Sequence, residues 1–501
     1  MANLFSTLLA AKAGSGRAAL ETPGEEGLSY QALIEATGRM AAALVRAGVR
    51  PGDRIAVQVD KSAANAVLYL ATLRCGAVYL PLNTAYTLAE LGYFIGDAEP
   101  RLIVCDPAAR AGVAAIAAGA RVETLDEAGR GSLADLAEAE APEFATVDRS
   151  DGDLAAIVYT SGTTGRSKGA MLTHANLASN AETLVQAWRF TADDVLIHAL
   201  PIYHVHGLFV AINVLLLAGG SMLFLPKFDA DAILRLAPKA TCLMGVPTFY
   251  TRLLQHPGLT RKAAGRMRLF VSGSAPLLAE THREWRARTG HAILERYGMT
   301  ETGMNVSNPY DGERVPGSVG LPLPGVQVRI ADPQTGAPMP SREIGMIEVK
   351  GPNVFKGYWR MPEKTQAEFR PDGFFITGDL GTRDAHGYVC IVGRGKDLII
   401  TGGLNVYPKE VEEEIDALEG VVESAVIGLP HPDFGEAVTA VIAAGGGAAP
   451  SEAEVLAALK PRLAAFKRPK RVLFVDDLPR NTMGKVQKAA LRERFAGIYA
   501  G

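Results

Sequence analysis

The amino-acid sequence predicts a protein of the α/β class with at least two domains. Its 501 residues are more than one hydrophobic core usually serves. From about residue 29 to residue 106, helical patterns such as YQALIEATGRMAAALVRAG alternate with short apolar runs such as RIAVQV and RLIVC, which is typical of helices layered on a sheet. Short strands with Gly and Pro turns follow later, and a second α/β pattern begins after Gly393.

A large N-terminal domain is expected over residues 1–394, built from layered α/β subdomains and closed by a β-rich subdomain. The alternation pauses at Pro107–Arg149, which is rich in Ala, Gly and Glu, and a peripheral connection is expected there. It resumes after Asp151. Past about Gly317, the runs VQVRIAD, GMIEVKG and GYVCIVG predict the strands of the β-rich subdomain.

A small C-terminal α/β domain is expected over residues 397–501. We predict a helix in PKEVEEEIDAL, strands in VVESAVIGL and AVTAVIAA, a helix over Ser451–Phe466 and a strand in RVLFVDD. The acidic run Glu410–Glu414 is interpreted as the solvated face of the first of these helices, because Val411 and Ile415 have the spacing of a face turned inward.

The composition of the sequence limits the cellular compartments and the binding partners that we expect for the protein. Hydrophobic residues make up 48% of the sequence and the formal net charge is −3, so no general attraction to nucleic acid or anionic membranes is expected. The sequence has four cysteines: Cys75, Cys105, Cys242 and Cys390. They lie far apart without paired or zinc-type spacing, which indicates a reducing compartment. No apolar run approaches the roughly 18 residues of a membrane span. We expect a cytoplasmic protein, with a weak N-terminal transit peptide as the alternative.

A candidate phosphate-binding loop lies at Tyr159–Gly169, where YTSGTTGRSKG follows the apolar run LAAIV. Glycines let backbone N–H groups converge on phosphate oxygens, and Lys168 adds a positive charge. Further hydroxyl donors come from Thr160, Ser161, Thr163 and Thr164. The spacing is not that of a Walker loop. The alternative, a polar hairpin turn, does not account for glycines, hydroxyls and a lysine together after a buried strand.

Further motifs follow this loop in a fixed order. They are PIYHVHG from Pro201, SGSAP from Ser272, ERYGMTET from Glu295, TGDL from Thr377, GRGKDLIITGGLNVYPKE from Gly393 and PRNTMGK from Pro479. Over essentially the whole chain, the ordered set resembles the adenylate-forming superfamily of acyl-CoA synthetases, luciferases and peptide-synthetase adenylation domains. Within it, LMGVPTFYTRLL, RYGMTETGMNVSNPYDGERVPGSVG and VKGPNVFKGYWRMPEKT are most similar to malonyl-CoA synthetases.

The resemblance implies the adenylate-forming fold with a mobile C-terminal domain, and a set of nucleotide contacts. The ATP-binding residues would be Thr160, Ser161, Gly162, Thr163, Thr164, Gly165, Gly273, Ser274, Glu295, Arg296, Tyr297, Thr300, Asp379 and Arg394. Tyr297 offers a stacking face for adenine, and the Asp379 carboxylate suits two ribose hydroxyls. Glu301 would hold Mg²⁺, a hard cation that usually takes few protein carboxylates when it bridges phosphates.

The resemblance also implies a reaction in two halves, with ATP and CoA as cosubstrates. A substrate carboxylate first attacks the α-phosphorus of ATP, while Lys485, Lys168 and Mg²⁺ supply positive charge as pyrophosphate leaves. The CoA thiol then attacks the acyl adenylate, and AMP departs. Lys485, in PRNTMGK, is the residue to which we assign the adenylation step.

For the second half, the resemblance implies that the small domain rotates about a hinge at Lys396. The rotation would bring Gly402 and Gly403 to the thiol tunnel, where glycines let the backbone approach a slender ligand. Related enzymes often carry a lysine where Gly402 stands, so the detailed CoA contacts depart from the family pattern here. Lys227, in LPKF, would help bind the CoA phosphates, with an ordinary solvated lysine as the alternative.

Two histidines and two arginines are candidates for binding the substrate acid. His204 matches the family histidine near the reacting carboxylate, and His206 matches a position that lines the acid pocket; an extended segment would place both on one side. Two imidazoles without a further ligand make a weak metal site. Malonate is a dianion, so its distal carboxylate would need His206, Arg252 or Arg283 as a partner, and the sequence does not choose among them.

The remaining acid-binding residues concern size and alignment. Met304 and Asn305 are expected to form the floor that decides whether a 2-methyl branch fits, and one methyl group is worth only about 1–3 kcal/mol of discrimination, so methylmalonate is a second expected substrate. Asn405, in GLNVYP, matches a polar position near the adenylate.

Three rival functions stay open: another short- or medium-chain acyl-CoA synthetase, an adenylation domain that loads a carrier protein, and a nucleotide-binding protein without catalysis. Lysine acetylation at Lys485 by an acetyltransferase, reversed by a deacetylase, would remove its charge and halt adenylation.

Overall fold

The computed structural model describes residues 3–24, 27–160, 167–402, 404–444, 450–481 and 484–499. Contacts divide the chain into two compact units, one of residues 1–327 with 349–375 and the other of residues 328–348 with 376–501. Residues 328–348 and 376–394, which the sequence placed in the large domain, therefore group with the C-terminal residues. The rotation of residues 397–501 about Lys396 stays a prediction.

The helices and strands are numbered in chain order. The α-helices are α1 Leu4–Leu9, α2 Tyr30–Arg46, α3 Ala63–Arg74, α4 Leu88–Ala98, α5 Arg110–Ile116, α6 Ser132–Glu138, α7 His174–Ala187, α8 Asn213–Ala218, α9 Ala230–Leu236, α10 Pro247–Gln255, α11 Ala279–Thr289, α12 Pro362–Ala367, α13 Pro408–Asp416, α14 Glu452–Leu459 and α15 Lys488–Phe495. A π-helix spans His206–Ile212, and short 3₁₀ turns span Ala10–Lys12, Pro107–Ala109, Ala237–Lys239 and Gly395–Asp397.

The strands are β1 Ala18–Glu21, β2 Leu28–Ser29, β3 Arg54–Gln58, β4 Val78–Pro81, β5 Leu102–Cys105, β6 Arg121–Thr124, β7 Leu154–Thr160, β8 Lys168–Thr173, β9 Val195–His198, β10 Ser221–Phe224, β11 Cys242–Gly245, β12 Leu269–Ser272, β13 Leu294–Met299, β14 Gly303–Ser307, β15 Leu321–Pro322, β16 Gln327–Ala331, β17 Gly345–Lys350, β18 Gly357–Tyr358, β19 Phe375–Arg383, β20 Val389–Arg394, β21 Ile399–Thr401, β22 Leu404–Val406, β23 Val421–His431, β24 Gly435–Ala444 and β25 Arg471–Val475.

Two mixed sheets form the first unit. The nine-stranded sheet has the order β15-β14-β13-β12-β11-β9-β10-β1-β2, and its central strands from β13 to β1 run parallel. The seven-stranded sheet has the order β18-β8-β7-β4-β3-β5-β6, with β7 and β8 forming an antiparallel hairpin. Helix α3 is apolar on all sides and almost wholly buried, as expected for a helix enclosed in a core.

Several helices of the first unit begin at the side chain that the sequence supplies for capping. Thr87 accepts from the backbone of Glu90, whose carboxylate bonds back to Thr87, and this capping box starts α4. Thr173 and Asn176 form the same arrangement at α7. Such caps satisfy N–H groups that lack a partner in the first turn, which is why these helices begin at those residues.

The connection expected at Pro107–Arg149 has more order than predicted. It contains α5, β6 and α6, and β6 pairs in parallel with β5 at the edge of the seven-stranded sheet. An edge strand needs few large apolar residues. The Ala-, Gly- and Glu-rich composition therefore predicted a connection where the structure has the edge strand β6.

The second unit contains a four-stranded sheet, in the order β16-β17-β19-β20, and a five-stranded sheet in which β25 pairs with β24. Alternate residues of β23 contribute to two cores: Val426 packs with Val411 and Ile415 of α13, while Ala425 and Ile427 pack with α15. Helices therefore cover both faces of the five-stranded sheet, which confirms the predicted small α/β layer structure.

The helix predicted over Ser451–Phe466 is shorter than expected. Helix α14 ends at Leu459, two residues before Pro461. Proline lacks the N–H that would continue the helical hydrogen bonds, so the helix ends just before it. In the part of the chain that the structure describes, no helix combines the length and apolar character needed to cross a membrane.

Candidate active site

The motifs that begin at Ser272 and Glu295 lie side by side at one edge of the nine-stranded sheet. Strand β12 ends at Ser272, directly before Gly273 and Ser274, and its parallel neighbour β13 carries Glu295, Arg296 and Tyr297. Thr300 and Glu301 follow in the turn to β14, which begins at Gly303. Ligands of open α/β sheets bind at the carboxyl ends of parallel strands, so the fold places these residues where a ligand is expected.

The candidate phosphate loop is the connection of the β7–β8 hairpin. Thr160 and Lys168 face each other as partners in the ladder, while Ser161, Gly162, Thr163, Thr164 and Gly165 lie outside the described residues. Lys168 is buried, with its Nζ 3.0 Å from Glu368 Oε1 and 4.1 Å from the centroid of the Tyr358 ring. Its charge is therefore oriented by a carboxylate and an aromatic face.

Glu301 lies in a buried cluster of oxygen atoms. Its Oε1 accepts from the Tyr358 hydroxyl at 3.1 Å and from Thr160 Oγ1 at 3.4 Å. The Tyr358 hydroxyl is also 2.6 Å from Glu368 Oε2. Burial, together with these two carboxylates, raises the pKa of Tyr358, so its hydroxyl stays protonated and donates.

The donor set around Glu301 fits a magnesium ion that bridges phosphates. Among the described residues, no group of three or more His, Cys, Asp or Glu side chains could hold a metal alone. Mg²⁺ usually takes only one or two protein carboxylates when phosphate oxygens complete its shell, which suits one glutamate beside a hydroxyl-rich loop. The sequence reasoning missed Tyr358 and Glu368, whose contacts to Glu301 and Lys168 span the chain.

The segment that carries His204 and His206 is not extended, as the expectation for this pair assumed. A turn at residues 202–204 leads into the π-helix that begins at His206, and the His206 N–H donates to His204 Nδ1 at 3.3 Å. His206 is 1% exposed, and its Nδ1 lies 3.3 Å from Ser274 Oγ. Burial, followed by the charge of Arg296, lowers the pKa of His206, so the imidazole is neutral.

Backbone geometry marks the same place. Ser274 has φ 71°, a left-handed conformation that a side chain disfavours by about 1–3 kcal/mol. π-Helical turns are rare and occur frequently at functional sites. Both irregularities meet at the Ser274–His206 contact, which indicates that the surrounding packing holds these two side chains in a required position.

Arg296 is the buried cation of this edge. It is 2% exposed, and a Cβ built on Gly273 would lie 2.5 Å from its Cζ. Within the described residues, Arg296 Nε and Nη2 and His206 Nε2 have no hydrogen-bond partner. Burial lowers the pKa of Arg296 to about 9, which still leaves it protonated at neutral pH. A buried cation with unused donors is costly unless an anion binds it.

The two arginines proposed from sequence for a distal carboxylate lie at the surface. Arg252 is exposed on α10, with its Cζ 5.7 Å from the centroid of the Phe228 ring. Arg283 is exposed on α11, and Lys227 is exposed as well. Sequence reasoning missed Arg296 for this role because its motif points to nucleotide binding, and the lack of an internal partner is visible only in the fold.

Met304 and Asn305 differ in their surroundings. The Met304 side chain packs against Gly298, where an added Cβ would lie 2.6 Å from Met304 Cε. Asn305 is fully buried, donates to Thr302 Oγ1 at 2.7 Å and accepts from Asn353 Nδ2 at 2.9 Å. Asn305 therefore fixes the turn at Thr302. Met304 has a flexible thioether side chain, so of the two residues it can more easily change its conformation to accommodate a ligand.

In the second unit, Asp379 and Arg394 form an ion pair. They are directly opposite each other on β19 and β20, with Arg394 Nε 2.7 Å from Asp379 Oδ1. Lys396 is exposed in the adjacent 3₁₀ turn, whose Asp397 is held by Arg492 at 2.6 Å. The position of the Asp379 carboxylate is thus fixed by a neighbouring strand.

The residues expected to approach CoA and the adenylate lie on the β21–β22 hairpin. Gly402 is exposed with φ 57°, and an added Cβ would meet nothing within 4 Å. Gly403 lies outside the described residues, and Asn405 is exposed on β22. Glycine at 402 satisfies the left-handed backbone that this turn requires.

Lys485 lies in a tight turn that its own motif closes. Its N–H donates to Asn481 Oδ1 at 3.0 Å, and its carbonyl accepts from the Asn481 N–H at 2.9 Å. Gly484 takes φ 73° in this turn. The motif residues Asn481 and Gly484 therefore fix the backbone from which the half-buried Lys485 side chain extends.

Comparisons with known proteins agree with this arrangement. The profile of the AMP-binding enzymes matches residues 9–359, and that of the AMP-binding enzyme C-terminal domain matches residues 410–485. The crystal structure of ATP-bound MatB from Rhodopseudomonas palustris is 67% identical, covers 99% of both chains and has a TM-score of 0.98.

Two curated relatives have lower identity. Feruloyl-CoA synthase of an Amycolatopsis species is 38% identical over 478 residues, which are 94% of this chain and 95% of that protein. Malonate–CoA ligase of Arabidopsis thaliana is 37% identical over 481 residues, which are 89% of this chain and 78% of that protein.

Proposed function

The chain belongs to the AMP-binding enzyme family, and on this premise we propose that it is an ATP-dependent malonate–CoA ligase. Malonate and ATP form malonyl adenylate and diphosphate, and CoA then converts the adenylate to malonyl-CoA and AMP. The malonate–CoA ligase of Arabidopsis thaliana supports this substrate. The ATP-bound R. palustris MatB supports the nucleotide.

The observation that carries the proposal is the buried pair of Arg296 and His206. Malonate reacts through one carboxylate, so the other enters the pocket as an anion that needs partners. Arg296 Nε and Nη2 offer two N–H donors to one carboxylate, the geometry in which arginine binds carboxylates well. We assign the distal carboxylate to Arg296 instead of Arg252 or Arg283.

His206 adds a neutral donor to this site. Its Nδ1 lies 3.3 Å from Ser274 Oγ, and we assign the Ser274 hydroxyl as the donor of this contact, which places the ring hydrogen on Nε2. His206 Nε2 then presents an N–H that no described residue uses. A neutral imidazole binds the carboxylate without adding a second buried charge that the free protein would have to tolerate.

Adenylation requires alignment and positive charge. Lys485 and Lys168 are proposed to stabilise the charge that gathers on the phosphates, and His204 lies near the reacting carboxylate. Mg²⁺ held by Glu301 would supply further charge to the phosphate oxygens. Tyr297 is proposed to stack on adenine, and the other contacts would come from Gly273, Ser274, Glu295, Thr300, Asp379 and Arg394 with the loop at residues 160–165.

Thioester formation is proposed to use a different set of residues. Rotation about Lys396 would replace Lys485 by the hairpin of Gly402 and Gly403, and Asn405 would contact the adenylate. Lys227, which is exposed, would contribute charge for the CoA phosphates. The left-handed turn at Gly402 gives a backbone without side-chain bulk, which suits approach to a thiol arm.

Two details of substrate and regulation belong to the proposal. Methylmalonate is a second substrate if the flexible Met304 yields to a methyl branch, and we place the enzyme in the cytoplasm. Acetylation of Lys485 would remove its charge and block the first half-reaction. Mass spectrometry of Lys485 with activity before and after deacetylase treatment tests this regulation.

An aromatic-acid ligase is the second candidate, because feruloyl-CoA synthase is a relative at 38% identity. The buried charge of Arg296 favours a dianion over an aromatic ring. CoA-dependent AMP release with malonate, methylmalonate, acetate, succinate and ferulate distinguishes the candidates. The proposal expects malonate to give the highest kcat/KM, and a preference for ferulate or acetate would refute it.

A further inference from the structure

A partly buried lysine and a buried histidine outside the described site contact each other. Lys61 precedes α3, and His198 ends β9. Lys61 Nζ lies 2.8 Å from His198 Nδ1, 2.7 Å from the His198 carbonyl oxygen and 2.6 Å from the Leu225 carbonyl oxygen. The ammonium group also lies 4.3 Å from the centroid of the Phe224 ring. His198 Nε2 is 2.8 Å from the carbonyl oxygen of Gly207.

The hydrogen bonds of this pair define its charge. A carbonyl oxygen only accepts, so His198 Nε2 carries a hydrogen for Gly207, and Lys61 Nζ carries one each for the two other carbonyls. The remaining contact, Nζ to Nδ1, needs one more hydrogen. Neutral lysine and neutral histidine together lack that hydrogen, so all of these contacts are satisfied together only when the pair holds one positive charge, shared between Nζ and Nδ1.

Within the residues that the structure describes, Lys61 has no carboxylate partner to balance this charge. The partners of Lys61 within the described chain are carbonyl oxygens and rings. Desolvation lowers the pKa of Lys61 well below its ordinary value, so it opposes the charge that the hydrogen bonds require, and a bound anion would favour that charge. A partly buried cation without a counter-ion carries a desolvation cost that an uncharged side chain would avoid. Packing alone therefore does not explain the charge at this position.

The pair is connected to the acid pocket through Gly207. This residue follows His206 in the π-helix, and a side chain at Gly207 would collide with the carbonyl of Pro201, so the first turn is tightly constrained. The bond from His198 to the Gly207 carbonyl anchors that turn. His198 is also near enough for its charge to lower the pKa of His206. The pair thus affects His206 both by position and by electrostatic potential.

We propose that Lys61 and His198 form a cationic positioning pair for the dicarboxylate pocket, which fixes the first turn of the π-helix and favours a dianionic acid over a monoanion. The inference rests on the proposed malonate specificity. Lys61 and His198 act through His206 and Gly207 and do not touch the reacting atoms. In a site of low dielectric, one unit of charge still has an effect beyond contact distance, and a bound dianion supplies the missing counter-charge.

The test replaces Lys61 by methionine, which keeps the chain length and removes the charge. Lys61→Met is expected to raise the KM for malonate on the order of tenfold, the scale of one partly screened charge, while the KM for ATP stays within about twofold. Lys239→Met, at an exposed lysine of the same unit, is the matched control and should change neither constant. If the substitution only disturbed the fold, the KM for malonate and the KM for ATP would both rise.

Two substitutions of His198 separate position from charge. His198→Gln retains an N–H that can reach the Gly207 carbonyl, whereas His198→Leu retains none. The proposal expects the leucine variant to lose malonate affinity by at least as much as Lys61→Met, and the glutamine variant to recover part of it. Equal losses in both histidine variants would contradict the anchoring role of the Gly207 contact.

If Lys61→Met does not fold, a measurement on the wild-type protein still tests the proposed pair. Nitrogen-15 NMR of labelled histidine should show the His198 proton on Nε2 and an accepting or proton-sharing Nδ1, and a ring with the proton on Nδ1 alone would overturn the proposal. A folded Lys61→Met with unchanged KM for malonate would also overturn it. A wild-type protein that does not use malonate would instead refute the proposed function.

Discussion

The guanidinium group of Arg296 packs directly against the backbone of Gly273, so close that one added carbon at Gly273 would lie 2.5 Å from Arg296 Cζ. Gly273 follows the end of β12, and Arg296 lies on the neighbouring strand β13. Gly273 does not have a positive φ, so its backbone conformation does not require glycine. Glycine is needed at this position because a side chain would collide with Arg296. Its absent side chain is what admits a buried arginine at the carboxyl edge of the sheet.

Replacing Arg296 by methionine should impair malonate binding more than any other step. The variant loses a charge-assisted contact to a buried carboxylate, an effect of about 2–5 kcal/mol, or roughly 30- to several-thousand-fold in kcat/KM for malonate. The KM for ATP should change much less. Steady-state kinetics with malonate and ATP varied separately measures both.

Arg252→Met and Arg283→Met serve as matched controls for that substitution, because both arginines are exposed. Each should alter kcat/KM for malonate by less than about twofold, as expected of surface charges. A large loss in either control, together with wild-type kinetics in Arg296→Met, would return the distal carboxylate to the surface arginine concerned.

Malonate affinity should decline at alkaline pH. Burial lowers the pKa of Arg296 to about 9, so the free protein loses this charge as the pH rises through that value. The KM for malonate should then rise by about tenfold per pH unit above pH 9, because only the protonated form binds the dianion. The sign for folding is opposite: neutralising a buried cation relieves a cost that is present below pH 9.

The same pH series in Arg296→Met identifies the group. In that variant the KM for malonate should be high at every pH and should lack the rise above pH 9. A rise that persists in the variant would assign the titration to another residue.

Lys485→Ala should abolish malonate-dependent pyrophosphate exchange while thioester formation from supplied malonyl adenylate persists. Loss of one preorganised charge at a transition state costs on the order of 100- to 1,000-fold in rate. Lys460→Ala, at an exposed lysine of the same unit, is the control and should leave both half-reactions intact. Equal loss of both half-reactions in Lys485→Ala would show a structural effect of the turn instead.

Glu301→Gln should raise the Mg²⁺ concentration needed for half-maximal activity by on the order of tenfold or more, since the amide keeps the shape and removes the charge. Titration of activity with Mg²⁺ measures this. Glu363→Gln changes an exposed carboxylate of α12 and should leave the titration unchanged. An unaltered Mg²⁺ requirement in Glu301→Gln would remove this residue from the metal site.

Motifs could be used to predict a candidate site because its chemistry restricts residue types at fixed spacing. In the structure, Lys168 begins β8, Arg296 lies on β13 beside the end of β12, and Lys485 lies in a turn closed by Asn481. The fold class followed from alternating patterns for the same reason: helical and strand periodicities differ, and caps such as Thr87 mark where helices begin.

What the sequence did not predict depends on contacts between distant segments. Every residue of His206–Ile212 is buried, so this run has no polar side from which a π-helical period could be inferred. Glu412 lies in an acidic run expected to be solvated, yet it is buried and paired with Lys488 Nζ at 2.6 Å, more than 70 residues later. Lys61 likewise has the sequence context of an ordinary surface lysine.

Malonate-dependent exchange of labelled pyrophosphate into ATP, with CoA omitted, tests the central claim most directly. It isolates the step in which the pocket selects an acid and requires no rotation of the C-terminal residues. We expect rapid exchange with malonate and little with acetate at equal concentration. Exchange with acetate that equals or exceeds exchange with malonate would contradict a pocket built around a second carboxylate.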